Sequence, residues 1–520
     1  MSEDLMAAID AGTTGVRCVL FDRYGRAVAH GYYETPTLYP APGLVEQSAS
    51  DVVELAFRAV RASIFDGNID PARIIGLCIT HQRNTWVPVD KYGNFLTNMF
   101  VWQDQRGAVI LPWIQEQLAG AGLELTDFYN LTGQPFGSVQ AGIKTFWYRL
   151  HMPDRYQRTY KFLTPQAFLL HAFGVSGYME ERDDISNWMV VDGKKFQYDE
   201  LLLSLFGMDK GFYPDYAKAG SFAGKISHMA SRRSGLLEGT PIYIGSGDQQ
   251  CGALAVGNLP GGEIASVCLG TAGLCIASSF EAPRHPQGTC QVQGHPAGGF
   301  TIEGHSSSCM SSFDWLKNMI AVDDILQAMS TGKNPYMMVS NLAESSLAGA
   351  NGVCFLPWLQ GAACPHFADE ARGALIGMTL ATTRADMFRA AIEGICFEMR
   401  QMLETLLEAK IKKPGRLRVL GGPSQDNFWC QIQADIYGIP VETITIGEAT
   451  ALGAAMIGFT GAGAFADLSE AVQEMSHVEH CYETHKEIHT RYDKIYRAWQ
   501  ECYLGLAKRA YKAVYEFQKV

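Results

Sequence analysis

A glycine-threonine turn between two strand-like runs occurs twice in this chain, as Gly12-Thr13-Thr14-Gly15 and, about half a chain later, as Gly270-Thr271-Ala272-Gly273. "LMAAID" and "VRCVLFD" flank the first copy, and "GEIASVC" and "LCIASS" flank the second. One turn chemistry recurring in one strand context points to two similar lobes built by duplication. The segments beyond each turn agree. After a third strand-like run, "AVAHGYYE", the segment "SASDVVELAFRAVRASI" has Ser48 or Ser50 as a candidate cap. It carries Val52, Leu55, Ala56, Ala59 and Val60 at helical spacing and leads into a strand, "RIIGLCIT". After the second turn, helix-like "SSCMSSFDWLKNMI" and "RADMFRAAIEGICFEMRQMLETLLEA" alternate with strand-like "GVCFLPW", "RLRVLG" and "VETITI". The fold class this predicts is α/β with two domains. A last helix with an apolar stripe of Ile488, Tyr492, Ile495, Trp499, Tyr503 and Leu506 predicts a buried packing face.

The 520 residues exceed what one hydrophobic core organises, which agrees with two lobes. A formal net charge of -12 works against attraction to nucleic acid phosphates. The start, "MSEDLMAAIDAGTTG", lacks the basic and apolar regions of a signal peptide, and no stretch has the ~18 uncharged apolar residues of a membrane span. A cytoplasmic protein binding neither nucleic acid nor membrane is therefore expected. The thirteen cysteines form no CxxC pair and sit largely in apolar runs, as reduced buried thiols do.

No GxxxxGK[ST] is present, and no GxGxxG opens a helix after a strand, so neither a P-loop nor a dinucleotide fold has an anchor. A Gly-Thr hairpin can bind phosphate instead, because glycine lets backbone N–H groups approach and threonine adds a hydroxyl. Each turn alone is more often a plain hairpin; two of them, one per lobe, could clamp a nucleotide. Between the lobes lies "GSGDQQCGAL", where Asp248 stands at a strand's end among glycines and glutamines. It is either turn punctuation or a catalytic base.

Five stretches, in order, carry a resemblance to the FGGY family of carbohydrate kinases, within the actin, Hsp70 and hexokinase-like ATPase superfamily. They are "AIDAGTTGVR"; "HQRNTWVPVD" with "VWQDQR"; "GSGDQQCGALAVG"; "GALIGMTLATTRADMFRAAIE"; and "LGGPSQDNFWCQIQADIYGIPV" with "EATALGAA". The resemblance implies two RNase-H-like domains with a deep cleft between them, divided as 1–247 (sugar binding and first phosphate turn), 248–483 (nucleotide binding) and 484–520 (a C-terminal helix packing on the body). It implies ATP and Mg²⁺ as cofactors and a sugar or polyol as partner, and it leaves a homodimer open. Asp248 falls where the family has its catalytic base, and Asp10 is the candidate for holding Mg²⁺ through water. Gly12, Thr13, Thr14 and Arg17 match the first phosphate turn and Gly270 and Thr271 the second; Gly422 with Asp426 or Asn427 falls where adenosine is held.

The phrases "VWQDQR", "GDQQ" and "LYPAPGLVEQ" are similar to those of glycerol kinases, in which an Arg-Glu pair grips the polyol hydroxyls. Here the pair reads Arg83-Asn84, and the place of a substrate-facing Tyr is Val139 by its spacing to Lys144. Losing a charged acceptor can discriminate between substrates by up to roughly 10⁴. A larger polyol or open-chain ketose is therefore expected, lined by Arg83, Asn84, Trp102, Gln103, Asp104 and Gln249, its primary hydroxyl taking the γ-phosphoryl group. A pentulose or linear autoinducer-type substrate is the alternative within the family. The alternative of another class is a non-catalytic ATP-dependent sensor on the same fold. A metal-dependent hydrolase would need clustered ligands, and the thirteen histidines include no HExxH.

Overall fold

The computed structural model describes residues 4–445 and 447–518. The chain divides into two compact units made of interleaved stretches. Unit 1 comprises Met1–Pro260, Phe280–Thr301 and Ile446–His477; unit 2 comprises Gly261–Ser279, Ile302–Thr445 and Val478–Val520. Asp248, where the sequence reading opens its second domain, lies with the segment to Pro260 in unit 1.

Unit 1 is built on a six-stranded sheet. Its strands are β1 (Leu5–Ala11), β2 (Gly15–Asp22), β3 (Ala27–Glu34), β4 (Ile74–His81), β5 (Phe222–Lys225) and β6 (Pro241–Gly247), in the order β5-β6-β4-β1-β2-β3. β1, β2 and β3 form the antiparallel meander that the sequence predicts, while β1, β4 and β6 run parallel. Period-two alternation divides β1 between two cores. Leu5, Ala7 and Ile9 face a cluster that includes α1 (Ala49–Phe65), whereas Met6 and Ala8 face the opposite side. Ser48, one of the two expected caps, accepts a hydrogen bond from the Asp51 N–H and starts α1. A helix α2 (Ala141–His151) follows in an aromatic-rich cluster that includes Trp86, Phe100 and Trp188. The second face of β1 is covered by α3 (Asp248–Ala255) and by the later helix of "EATALGAA", Ala449–Gly461.

Unit 2 repeats the plan. β7 (Ile264–Leu269), β8 (Gly273–Ser279), β9 (Phe300–Ser306, with Ile302 onward in this unit), β10 (Arg416–Gly421), β11 (Val441–Ile444) and β12 (Val478–Tyr482) lie in the order β9-β8-β7-β10-β11-β12. β7 pairs antiparallel with β8 and parallel with β10, which is parallel to β11. Each unit thus has a hairpin joined by a Gly-Thr turn whose first strand is followed outward by two parallel strands. The helices of unit 2 are α4 (Met310–Ile320), α5 (Arg384–Glu408), α6 (Asn427–Tyr437) and, beyond α7 (the Ala449–Gly461 helix of unit 1), α8 (Lys486–Ala507). A capping box between Thr383 and Asp386 starts α5. On α8, Tyr492, Trp499 and Tyr503 of the expected stripe are buried together with Tyr496, Ile495 and Leu506 are half-buried, and Ile488 is exposed. No helix among the described residues is long and apolar enough to cross a membrane.

Candidate active site

Three parallel strands of unit 1 end side by side. Ala11 of β1 pairs with His81 of β4, which pairs in turn with Gly247 of β6. Asp10, the segment from His81 to Arg83, and Asp248 therefore meet although they lie far apart in the chain. The carboxyl ends of parallel strands are where α/β folds leave groups open to a ligand.

Asp248 is the first residue of α3 and follows β6 without a loop. Its Oδ1 accepts the Gln249 N–H at 2.8 Å, and Arg83 Nε stands 3.5 Å from the same oxygen. Burial pushes the Asp248 pKa above its ordinary 3.8, opposed by the positive charge of Arg83 and by His81. Asp10 is pushed up to about 7 by burial and then by the negative charge of Asp248, with Arg17 and His81 opposing. Asp10 Oδ1 is buried without a hydrogen-bond partner. No cluster of three or more metal-ligating side chains occurs among the described residues. That donor set fits Mg²⁺, which takes one or two carboxylates and completes its shell with water and phosphate oxygens.

The β1–β2 turn is closed by the Gly12 N–H donating to Gly15 O at 3.1 Å. A ring of glutamines holds it from behind. Gln47 Nε2 donates to Thr13 O at 2.7 Å, Gln82 Nε2 donates to Gln47 Oε1 at 2.9 Å, and Thr13 Oγ1 donates to Gln82 Oε1 at 3.0 Å. Thr13 thus keeps its expected place in the turn, but its hydroxyl proton is engaged by Gln82; Thr14 is the exposed threonine. Arg17, opposite Asp10 across the hairpin, pairs with Glu448, which precedes α7, and lies over the Tyr32 ring.

The expected substrate residues separate into two groups. Arg83, Trp102, Gln103 and Gln249 are at least partly accessible, and Trp102 Nε1 donates to Thr13 Oγ1 at 2.8 Å. Asn84, also partly accessible, and the buried Asp104 make contacts within the scaffold. Asn84 sits at φ +55, and its Oδ1 accepts the Ala141 N–H at 2.9 Å, so the amide oxygen satisfies the start of α2. Asp104 is fully buried, with Oδ2 accepting the Val45 N–H and both oxygens held by the Arg106 guanidinium. Its carboxylate ties the loop before Arg106 to the Val45 backbone. Lys144 Nζ donates to the carbonyls of Asn84 (2.8 Å) and Val101 (2.7 Å), tying the two substrate loops together, and burial pushes its pKa down to about 7.

In unit 2 the equivalent strand ends, Leu269 of β7 and Gly421 of β10, are register partners, which brings the Gly270-Thr271 turn beside Gly422. Gly421 has φ +93, and a Cβ there would meet Leu269 O at 2.1 Å, so both conformation and space require glycine. Gly422 is exposed, a Cβ there would meet nothing within 4 Å, and Thr271 is exposed beside it; this leaves backbone open to phosphate or ribose. Asp426 is the N-cap of α6, its Oδ1 accepting the Phe428 N–H, and Asn427 Oδ1 accepts the Tyr482 hydroxyl at 2.6 Å.

Sequence reasoning passed over His81, Asp184, Asn187 and Gln293. His81 Nε2 lies 3.1 Å from Asp184 Oδ2, Asn187 Nδ2 donates to Asp184 Oδ1 at 2.7 Å, and Gln293 contacts both Asn187 and Arg83. His81 opens the family stretch "HQRNTWVPVD" and could have been singled out; nothing around Gln293 in the sequence marks it.

Residues 5–255 match the N-terminal domain of the FGGY family of carbohydrate kinases, and residues 265–462 match its C-terminal domain. A xylulose kinase of Staphylococcus epidermidis is 25% identical over 506 residues, covering 97% of this chain and 97% of the relative. A glycerol kinase of Acaryochloris marina is 30% identical over 472 residues, covering 87% and 89% respectively. The crystal structure of a gluconate kinase from Lactobacillus acidophilus superposes with a TM-score of 0.88 at 20% identity, covering 98% of this chain and 99% of its own.

Proposed function

Since the chain belongs to the FGGY family of carbohydrate kinases, with the two-domain actin-like ATPase fold, we propose that it transfers the γ-phosphoryl group of ATP to a primary hydroxyl of a polyol or open-chain ketose, with Asp248 as general base. The observation that supports this reading best is the Asp248–Arg83 pair at the joined ends of β4 and β6. A carboxylate with Oδ1 held by the Gln249 N–H and facing Arg83 has Oδ2 left to receive the hydroxyl proton. Burial raises its basicity, which favours that transfer. Arg83 orients substrate oxygens beside the carboxylate. Asp10, with its unpartnered oxygen, would hold Mg²⁺ through water, while Gly270, Thr271 and Gly422 present backbone to the nucleotide. When bound, MgATP supplies the phosphoryl group and neutralises its charge, so the chain's own share is mainly positioning.

Relatives named for xylulose and glycerol do not choose the substrate. The geometry favours an acceptor-bearing one. With the Asn84 oxygen committed to Ala141 N, the site offers Arg83 as donor and lacks a second charged acceptor for a polyol diol, which suits a ketose carbonyl. A coupled ADP-release assay with Mg²⁺ and ATP across polyols, pentuloses, hexuloses and linear autoinducer-type diones tests the proposal. One strong acceptor is expected, with kcat in Asp248→Asn lower by about 10²–10⁴-fold, the usual share of a general base. ATP binding without turnover of any acceptor would favour the sensor reading, and an active Asp248→Asn would remove Asp248 from the base's role.

A further inference from the structure

Two of the contacts of Arg83 are with Gln293 and Asp248. Nη1 donates to Gln293 Oε1, and Nε stands 3.5 Å from Asp248 Oδ1, an ion-pair distance longer than a charge-assisted hydrogen bond. Gly247 makes room for this course of the side chain, since a Cβ there would lie 2.7 Å from Arg83 Cδ. Gln293 is itself anchored: it is 1% exposed, and its Nε2 donates to Asn187 Oδ1. Asn187 is hydrogen-bonded to Asp184, which faces His81, and all three are buried. The neighbouring backbone is equally fixed, because a Cβ on Gly294 would meet the Asp183 side chain at 2.3 Å.

We propose that Gln293 is a positioning residue that holds Arg83 off Asp248, so that the base stays open to the substrate hydroxyl; this rests on the kinase reading. A guanidinium and a carboxylate this close, in a partly desolvated site, would otherwise close into a bidentate pair, the strongest geometry open to them. Such a pair would occupy both carboxylate oxygens and withdraw Arg83 from the substrate. Arg83 is already the largest influence opposing burial at Asp248, so a closer approach would also weaken the base. The Gln293 oxygen gives Nη1 a fixed neutral acceptor instead, and the buried chain through Asn187 to Asp184 keeps that oxygen in place.

Three variants test this with the best acceptor sugar. Gln293→Met keeps the volume and removes both hydrogen bonds; kcat is expected to fall about 10- to 100-fold, part of what a general base supplies. Gln293→Glu keeps an acceptor for Arg83 but loses the donor to Asn187 Oδ1, so kcat is expected to fall less than in Gln293→Met, an order that loss of packing alone would not reproduce. Adding Arg83→Met to Gln293→Met frees Asp248, so kcat rises above that of Gln293→Met alone, while KM rises because Arg83 no longer contacts the substrate. Equal loss in the Met and Glu variants, or no recovery in the double variant, overturns the proposal and leaves the kinase reading intact. A thermal-unfolding cycle of Arg83→Met and Gln293→Met decides without any substrate: coupled Tm changes support the anchor, and additive ones overturn it. A parent protein that phosphorylates no acceptor would instead count against the kinase reading, with the unfolding cycle still deciding the anchor.

Discussion

Asp10 shows how a site residue costs the fold something. Its pKa of about 7 in the folded protein lies above the ordinary 3.8, so folding favours the protonated form. That contribution to stability is fully present below about pH 4 and is lost as the pH rises through about 7. Without Mg²⁺, Asp10→Asn is therefore expected to melt at least about 2 °C above the parent at pH 8, and the gap should close by pH 5. Scanning calorimetry at the two pH values checks this; a lower Tm for the variant at pH 8 would mean that Asp10 is stabilised by contacts and not strained by burial. Asp10 and Arg83 are singled out through the family resemblance, while the residues around Asp248 alone leave it open between turn punctuation and a base. The sequence showed nothing of the partners of Asp104 and Asn84, since Arg106 holds both Asp104 oxygens and the start of α2 engages the Asn84 amide oxygen. Gln293 was illegible because the side chain it serves lies 210 positions away.

At the scale of elements, Asp248, the base of the proposed mechanism, is placed by a helix crossing. A Cβ on Gly453 of α7 would meet the backbone oxygen of Cys251, one turn after Asp248 on α3, at 2.0 Å. Gly453→Ala gains about 1 kcal/mol of helix propensity but overpacks a backbone contact, which costs about 1–3 kcal/mol. The expected outcome is a lower Tm with kcat down at least about tenfold, because α3 must shift and Asp248 lies at the terminus where small displacements matter most. Thermal melts paired with initial rates check it, and a stabilised, fully active variant would show that α7 does not set the base. Asn84 tests a second element. Asn84→Ala removes a bond to the first turn of α2 and leaves a non-glycine residue at φ +55, so a loss of about 1–2 kcal/mol in urea unfolding is expected. The strands and caps of the meander were readable because their signals are local, as Ser48 shows. The aromatic cluster of Trp86, Phe100 and Trp188 was not, since its members come from separate segments with no common period.

For the whole molecule, the duplication foreseen from one four-residue turn extends to the sheet plan: in both units a Gly-Thr hairpin stands beside two parallel strands, and functional residues gather at the ends. The units nonetheless carry different chemistry, carboxylates with Arg83 in one and exposed glycine backbone with Thr271 in the other. Gly422→Val is therefore expected to weaken binding of a fluorescent ATP analogue about tenfold or more while leaving the sugar KM within about twofold. Arg83→Met should do the reverse. Analogue titration and sugar saturation curves separate the two, and a loss of both affinities from either variant would contradict the division.

The amino-acid sequence by itself determined the α/β class, the paired turns, the family and the carboxylate at the strand's end. These are written in short windows, where turn chemistry, alternation and spacing act on neighbouring residues. Only the tertiary structure decided which polar groups are spent on the scaffold and which remain for a ligand. A side chain's availability depends on what else reaches it, and for Asn84, Asp104, Thr13 and Arg83 the deciding partners come from other strands, loops and helices that folding alone brings within hydrogen-bond distance.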